Sequence, residues 1–363
     1  RTSGGSPPGT LCGGGSHFAL DNLTLMFGPF LPNFLSLALT GNQGAVGAAL
    51  ERAAAANSDH PVINALANLD AATGPKALDQ LSGAGITATQ NIGLHQNRAF
   101  TGAMGDQGLH WLGGGPDASG VTLHERSRAL GYAPHTKTNS PIVVQDPLPP
   151  RTWRAWMSGF GGAGYWPANT SVGAAGQAGR FFGAAFGLDY QFTPSLLLGA
   201  SVGWSEGRFS VSGLSTSGAS RGVHFGAYGV ATLGPWHGLG QLSYSVFRNS
   251  TQRSFGGFGG MPVDFAYGDF GARALRARLE AGRRFDIADF RVTPFGGFEI
   301  ARLSASPFVE KGGLFALAIG DQNAYSAISS LGLRVERTFA FGRGMTLRPS
   351  VEFAWMHEFD RRR

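Results

Sequence analysis

The second half of the chain is written in period two. Phe182, Ala184, Phe186, Leu188 and Tyr190 alternate with Gly183, Ala185, Gly187, Asp189 and Gln191, and Leu196, Leu198, Ala200, Val202 and Trp204 alternate with Leu197, Gly199, Ser201, Gly203 and Ser205. The same holds for Leu242, Tyr244 and Val246 against Gln241, Ser243 and Ser245, and for Leu275, Ala277, Leu279 and Ala281 against Arg276, Arg278, Glu280 and Gly282. Successive side chains of a strand point to opposite faces, so each run is a strand with one apolar face and one polar or small face. A soluble sandwich carries that pattern too, and length separates the two cases. Leu347, Pro349, Val351, Phe353, Trp355, His357 and Phe359 alternate with Arg348, Ser350, Glu352, Ala354, Met356 and Glu358. Leu331, Leu333 and Val335 alternate with Gly332, Arg334 and Glu336. Such runs approach or exceed the ~9–11 residues that cross a bilayer at a tilt, where soluble strands average ~5–6.

Composition excludes most other classes. No stretch reaches the ~18 apolar residues of a membrane helix, which leaves a closed sheet as the structure that could satisfy its backbone in lipid. With 57 glycines in 363 residues and 14% charged residues, the chain is unlike an ordinary soluble α/β enzyme. The charge balance is 29 basic to 23 acidic residues, and only Lys76, Lys137 and Lys311 are lysines. Most arginines are scattered singly through the second half at alternate positions, without the clustering that a nucleic-acid partner requires. Cys12 is alone, which excludes a disulfide framework and a zinc ligand set, and no cofactor is expected. The chain opens at Arg1 without an initiator Met or signal-peptide segments, as a piece of a longer precursor would.

Three regions follow. Residues 1–33 are Gly-, Ser- and Pro-rich at first and then apolar but broken by Gly28, Pro29 and Pro32, a linker or the remainder of a preceding domain. Residues 34–150 are loop-rich and partly helical, with helices expected over Gln43–Ala56, over Pro61–Leu69, and from Pro75 through Leu78 and Leu81 with Thr73 as cap. Ile86–Met104 is small-residue-rich and could resume as a slender helix, and a further helix is possible around Leu123–Leu130. Residues 151–363 are β, with about nine strands near 153–163, 180–192, 196–209, 222–234, 238–250, 268–285, 289–303, 324–340 and 345–359. Tight turns at Thr193–Ser195, Gly234–His237, Asp286–Asp289 and Ala340–Gly344 alternate with longer connections near 211–221, 252–267 and 304–322. Short turns on one side and long loops on the other are the layout of an outer-membrane barrel, and aromatics toward run ends, Tyr190, Trp204, Phe285, Phe339, Trp355 and Phe359, suit its interfacial girdles.

Energy sets which face turns inward. An arginine facing lipid near the midplane would cost about 2–4 kcal/mol, so the polar face is expected to line the lumen. The charged lumen candidates are Arg276, Arg278, Arg284, Arg291, Arg334 and Arg348, against Glu280, Glu299, Glu336, Glu352 and Glu358. The small residues Gly183, Gly187, Gly199, Gly203 and Gly332 on that face would leave room for a helix.

Over roughly residues 34–363 the chain resembles the autotransporter β-domain, the translocator of type V secretion. The matching residues are Leu39-Thr40-Gly41-Asn42-Gln43 ahead of an Ala-rich helix, Ala77-Leu78-Asp79-Gln80-Leu81-Ser82-Gly83 before the barrel, the opening Trp153–Gly164 strand, and Leu347-Arg348-Pro349 running into Ala354-Trp355-Met356-His357-Glu358-Phe359. The resemblance implies a transmembrane antiparallel barrel of twelve strands with a helix through its lumen, in the bacterial outer membrane. It also implies three partners: outer-membrane lipid, the barrel-assembly machinery, and a passenger polypeptide exported on the N-terminal side. About three further strands would follow the Trp-x-His-Glu-Phe strand in such proteins, so nine strands are expected to form an incomplete barrel here.

Other functions find less support in the residues. Gly203-Trp204-Ser205-Glu206-Gly207 and Gly218-Ala219-Ser220-Arg221-Gly222 match the Gly-x-Ser-x-Gly elbow of serine hydrolases, but neither precedes a helical pattern. Gly159-Phe160-Gly161-Gly162-Ala163-Gly164 matches a dinucleotide fingerprint, yet Tyr165-Trp166-Pro167 stands where its helix should start. His357-Glu358 lacks the second His of a zincin, since position 361 is Arg. Asn91 and Asn97 are separate, so the Asn pair at which some autotransporters cleave themselves is absent. A non-enzymatic translocator is the first reading, and a diffusion channel with an arginine-rich lumen, or a non-functional fragment, is the alternative.

Overall fold

The computed structural model describes residues 17–20, 23–26, 33–114, 121–125, 137–139, 142–144, 153–169, 173–257, 262–341, 345–347 and 349–359. Nine long strands carry the period-two half of the chain. They are β1 (Trp153–Trp166), β2 (Gln177–Thr193), β3 (Leu196–Val211), β4 (Thr216–Leu233), β5 (Trp236–Phe255), β6 (Asp264–Arg283), β7 (Phe290–Ala305), β8 (Gln322–Arg337) and β9 (Ser350–Glu358). Each pairs antiparallel with the next in sequence order. The expected strands all find a counterpart in these spans, but the last begins only at Ser350, since Met345–Leu347 pairs with Phe339–Phe341 instead, and the one expected over 324–340 ends at Arg337. The loop expected near 211–221 is instead the tight turn Ser212–Ser215 between β3 and β4. Gly213 at φ +80° and Ser215 at φ +47° make that turn possible, and residues on both sides continue the ladder.

At the opposite end, β4 and β5 are joined by two residues only. Gly234 takes φ +58° ahead of Pro235, the positive φ that a two-residue hairpin loop needs at its first position. Connections thus alternate: 194–195, 234–235 and 284–289 at the short-turn end, 167–176, 256–263 and 306–321 at the other. Backbone segments Val121–Glu125 and Lys137–Asn139 lie along the outer edges of β1 and β9 respectively. The first of these is strand where a helix was expected around Leu123–Leu130.

The helical segment holds α1 (Gly41–Ala56), α2 (Pro61–Leu66), α3 (Gly74–Leu81) and α4 (Ala88–Gly114). At α1, Thr40 and Gln43 form a reciprocal capping box that satisfies two otherwise orphaned N–H groups. Thr73 precedes α3 without capping it, because its hydroxyl is engaged with Asp70 instead. The helix expected over Ile86–Met104 runs ten residues further, to Gly114. Two compact units make up the chain. Arg1–Ser82 with Ser171–Gly173 and Gly256–Val263 form one, and Gly83–Thr170, Ala174–Phe255 and Asp264–Arg363 form the other.

Within the second unit, α4 packs on one face of the sheet and touches β1 through β7. Seven strands spaced ~4.8 Å apart would be about 29 Å wide if flat, and a helix only ~10 Å across could not reach them all. The sheet therefore curls around α4 into a half-barrel of nine strands. Its inner face is the polar one: Gln241, Ser243, Ser245, Asn249 and Arg253 of β5 are buried, while Leu242 is 53% exposed and Tyr244 and Val246 are also exposed on the outer face. On β6, Arg276 is 2% exposed and its neighbour Leu275 is 51% exposed.

Glycines settle how closely the helix seats. A Cβ on Gly203 would lie 2.7 Å from the Phe100 ring of α4, and one on Gly226 would meet Met104. On the helix side, Gly93 receives Leu303 and Gly108 receives Val230. The other inner-face glycines serve a different purpose from the one expected. Gly183, Gly187, Gly199 and Gly332 make room for Phe160, Trp156, Tyr228 and Phe295, large rings on neighbouring strands of the sheet itself. Gly203→Leu is expected to destabilise the folded protein by about 1–3 kcal/mol through overpacking. Gly238→Leu, where an added Cβ meets nothing within 4 Å, should leave stability unchanged. Thermal unfolding in detergent micelles checks both.

Candidate functional site

The concave face and α4 form a continuous polar site. Helix positions that a soluble protein would make apolar are amide or charged here: Gln96, Asn97, Arg98 and Gln107 are buried along with Phe100 and Met104. A helix that carries amides and charges among its buried positions survives burial only if the wall supplies their partners. The wall does so from strands far away in sequence. Asn97 donates through Nδ2 to Ser245 Oγ at 2.8 Å and Ser243 Oγ at 3.1 Å, and its Oδ1 accepts from Arg276 Nε at 2.8 Å. Arg276 also donates to the Leu94 carbonyl at 3.1 Å and pairs with Glu299 at 3.2 Å. Arg98 of the helix reaches the same Glu299 oxygen at 2.7 Å. Thr101 lies 2.9 Å from Ser243 Oγ.

A second cluster sits toward the short-turn end. Arg154 of β1 donates through Nε to Asp189 Oδ2 at 2.8 Å and through Nη2 to the Gln107 carbonyl of α4 at 3.1 Å. Trp156 Nε1 donates to Asp189 Oδ1 at 3.0 Å, and the Tyr228 hydroxyl donates to that oxygen as well. Beside it, Arg334 bridges Glu280 at 3.2 Å and Glu352 at 2.9 Å, and Arg278 meets Glu280 at 2.5 Å. At the long-loop end, Arg253 holds Glu310 at 2.5 Å and the Phe315 carbonyl at 2.7 Å, which ties the 306–321 connection to β5.

Of the charged residues picked from the sequence, Arg276, Arg278, Glu280, Glu299, Arg334 and Glu352 lie on the inner face in these clusters. Arg284, Arg291 and Glu336 lie at the short-turn end, where Arg291 pairs with Asp286 at 3.4 Å. Glu358 accepts from Ser326 Oγ and the Ala327 amide, both at 2.8 Å. Arg348 falls outside the described residues. Among the aromatics, Trp204, Phe285, Trp355 and Phe359 are exposed on the outer face, and Tyr190 is half-buried against Trp153. Arg154, Asp189, Arg253 and the helix residue Arg98 were not singled out from the sequence, and Asn97 was weighed only for self-cleavage. Inward parity on β1, β2 and β5 could have found the first three.

The serine of the first elbow-like motif has a structural role. Ser205 Oγ does contact His224 Nε2 at 2.7 Å, but His224 Nδ1 faces Ser245 Oγ, also at 2.7 Å, where a triad needs a carboxylate. Phe100, Phe160 and Phe247 enclose the imidazole, and Ser205 is wholly buried. His357 stacks on Trp355.

The direction of α4 gives the site its meaning. Its start lies at the long-loop end, where Gly85 abuts Thr216 at the head of β4 and Asn91 donates to Gln177 at the head of β2. Its last turns lie at the short-turn end, where Gln107 meets Arg154 and Gly108 meets Val230. The helix spans the half-barrel from one rim to the other. Long antiparallel strands, an apolar outer face, a polar inner face and a threaded helix together define a transmembrane β-barrel of the outer-membrane type. A family model described as the autotransporter β-domain matches residues 155–363, more than half of the chain, and the chain belongs to that family.

Two solved translocators are similar in structure. The translocator domain of autotransporter NalP from Neisseria meningitidis is 14% identical with a TM-score of 0.45, covering 58% of this chain and 89% of that one. The β-domain of the Bordetella autotransporter BrkA is 21% identical with a TM-score of 0.47, covering 58% and 80%. The Pseudomonas putida toluene transporter TodX is 8% identical with a TM-score of 0.28, covering 61% and 82%. No curated protein matches the chain in sequence. The site makes one direct prediction. Arg276→Met takes the cation from Asn97 and Glu299 inside a low-dielectric interior, and should cost about 3–5 kcal/mol in denaturant unfolding in micelles. Limited proteolysis should then release α4 faster than in the wild type.

Proposed function

We propose that this chain anchors in the outer membrane and supports export and surface display of a polypeptide attached ahead of the helical segment. The observation that carries this reading is the direction of α4. A helix entering at the long-loop rim and leaving at the short-turn rim brings the chain into the half-barrel from the long-loop side, which in outer-membrane barrels is the cell exterior. In this reading residues 151–363 are the membrane domain, residues 34–150 contain the segment that threads it, and residues 1–33 lead from the passenger. The partners are outer-membrane lipid, the assembly machinery that inserts barrels, and the passenger.

The inner-face clusters give the helix a task that a bare pore would not need. Hydrogen bonds and ion pairs fix α4 in register, so the chain is held at the rim instead of sliding. A reporter domain fused ahead of Arg1 and exported in a Gram-negative host should be digested by protease added to intact cells. A reporter digested only after the outer membrane is permeabilised would contradict display. In planar bilayers the intact chain should conduct weakly, and deletion of 83–114 should raise conductance several-fold. High conductance in the intact chain would favour the diffusion-channel alternative.

A further inference from the structure

Toward the long-loop end, the outer face carries charge in a regular order. On six consecutive strands an exposed arginine closes the apolar band toward the long-loop end: Arg180, Arg208, Arg221, Arg248, Arg273 and Arg302 on β2 to β7. Each stands twelve positions from a residue at the short-turn rim, respectively Phe192, Leu196, Leu233, Trp236, Phe285 and Phe290, of which Phe285 lies just past the end of β6 and the others on the arginine's own strand. Twelve residues at ~3.4 Å rise and ~40° tilt span roughly 30 Å along the barrel axis, the thickness of a bilayer's hydrocarbon core. The six guanidiniums therefore sit together at one headgroup level.

Their pairing is unfavourable without a ligand. Arg180 is directly opposite Arg208, and Arg221 directly opposite Arg248, in cross-strand register. Like charges in that position destabilise a sheet. Glu206 lies 3.7 Å from Arg208 and 3.8 Å from Arg221, and Asp269 stands exposed on β6 two positions from the register partner of Arg248. Arg302 donates to Asn323 Oδ1 at 3.3 Å and lies over the Tyr325 ring. Among the described residues no ion pair is formed by Arg180, Arg248 or Arg273. The opposite rim differs, since Arg283 and Arg337 there lie over Trp236, Phe285, Phe290 and Phe339.

We propose that this belt binds the phosphate groups of lipids in the leaflet at the long-loop end. The inference rests on the membrane-anchored reading above. Guanidinium forks match phosphate oxygens in a bidentate way, and a phosphate between two facing arginines turns a like-charge repulsion into two attractions. The occupant is a lipid because the belt borders an apolar band sized for acyl chains, so headgroup and tail are engaged together.

The test uses the full chain in zwitterionic micelles, with native mass spectrometry of retained lipid. It needs no passenger export, so its failure leaves the translocator reading standing. Diphosphorylated lipid A should be retained, and Arg221→Gln with Arg248→Gln should weaken retention about 30-fold at roughly tenfold or less per cation removed. Arg221→Lys with Arg248→Lys should keep it within a few-fold. Without lipid, the glutamine variant should unfold at the same temperature as the wild type or higher, because a like-charge pair is gone. Three outcomes would overturn the proposal: equal retention of the dephosphorylated lipid, displacement by millimolar inorganic phosphate, or a glutamine variant that unfolds earlier yet retains lipid as well as the wild type.

Discussion

Everything in the membrane unit depends on turning polar groups inward and then satisfying them without bulk water. An outer face of Leu242, Leu275, Leu279 and their neighbours suits lipid only if Arg276, Arg278, Glu280, Glu299 and Arg334 point the other way. Buried ionised groups of this kind are tolerated when each finds an opposite charge or a hydrogen-bond partner. Here the partners come in two layers. Strand neighbours supply some, as Arg334 does for Glu280 and Glu352. The threaded helix supplies the rest, with Arg98 on Glu299 and Asn97 on Arg276.

Shape follows from the same requirement. The inner face is too crowded to be lined by large side chains throughout, and the sequence divides the space between rings and glycines. Phe160, Trp156, Tyr228 and Phe295 lie over glycines of adjoining strands, and the first three pack in one apolar cluster with Phe100 and Met104 of α4. Gly203 and Gly226 leave the wall thin where Phe100 and Met104 come down, and Gly93 and Gly108 do the same on the helix. Charge fixes the helix's register and glycine fixes its depth. Neither alone would prevent a slender, largely polar helix from sliding.

The strands were legible in the sequence because period two survives without any tertiary information. Nine were expected and nine are present among the described residues, with cores in the expected places. Their ends were less legible. Thr216–Arg221 is polar and glycine-rich enough to look like loop, yet it continues the ladder beyond the apolar band, and tertiary pairing overrides composition there. The far end of α4 was missed because Gly105, Asp106 and Gly108 lower helix propensity, which the surrounding wall compensates. The clusters could not be read at all. Asn97 and its partners Ser243, Ser245 and Arg276 are separated by more than a hundred residues, so period gives the face and never the partner.

Whether α4 lies against the inner wall in the membrane-inserted protein decides between a threaded translocator and an open sheet. Oxidative cross-linking measures it directly, in a Cys12→Ser background with Met104→Cys and Gly226→Cys introduced together after insertion into vesicles. A seated helix predicts rapid formation of the cross-link, and none when Phe225→Cys on the outer face replaces Gly226→Cys. Equal labelling of Met104→Cys by a water-soluble thiol reagent in folded and unfolded protein, with no cross-link to either position, would contradict it.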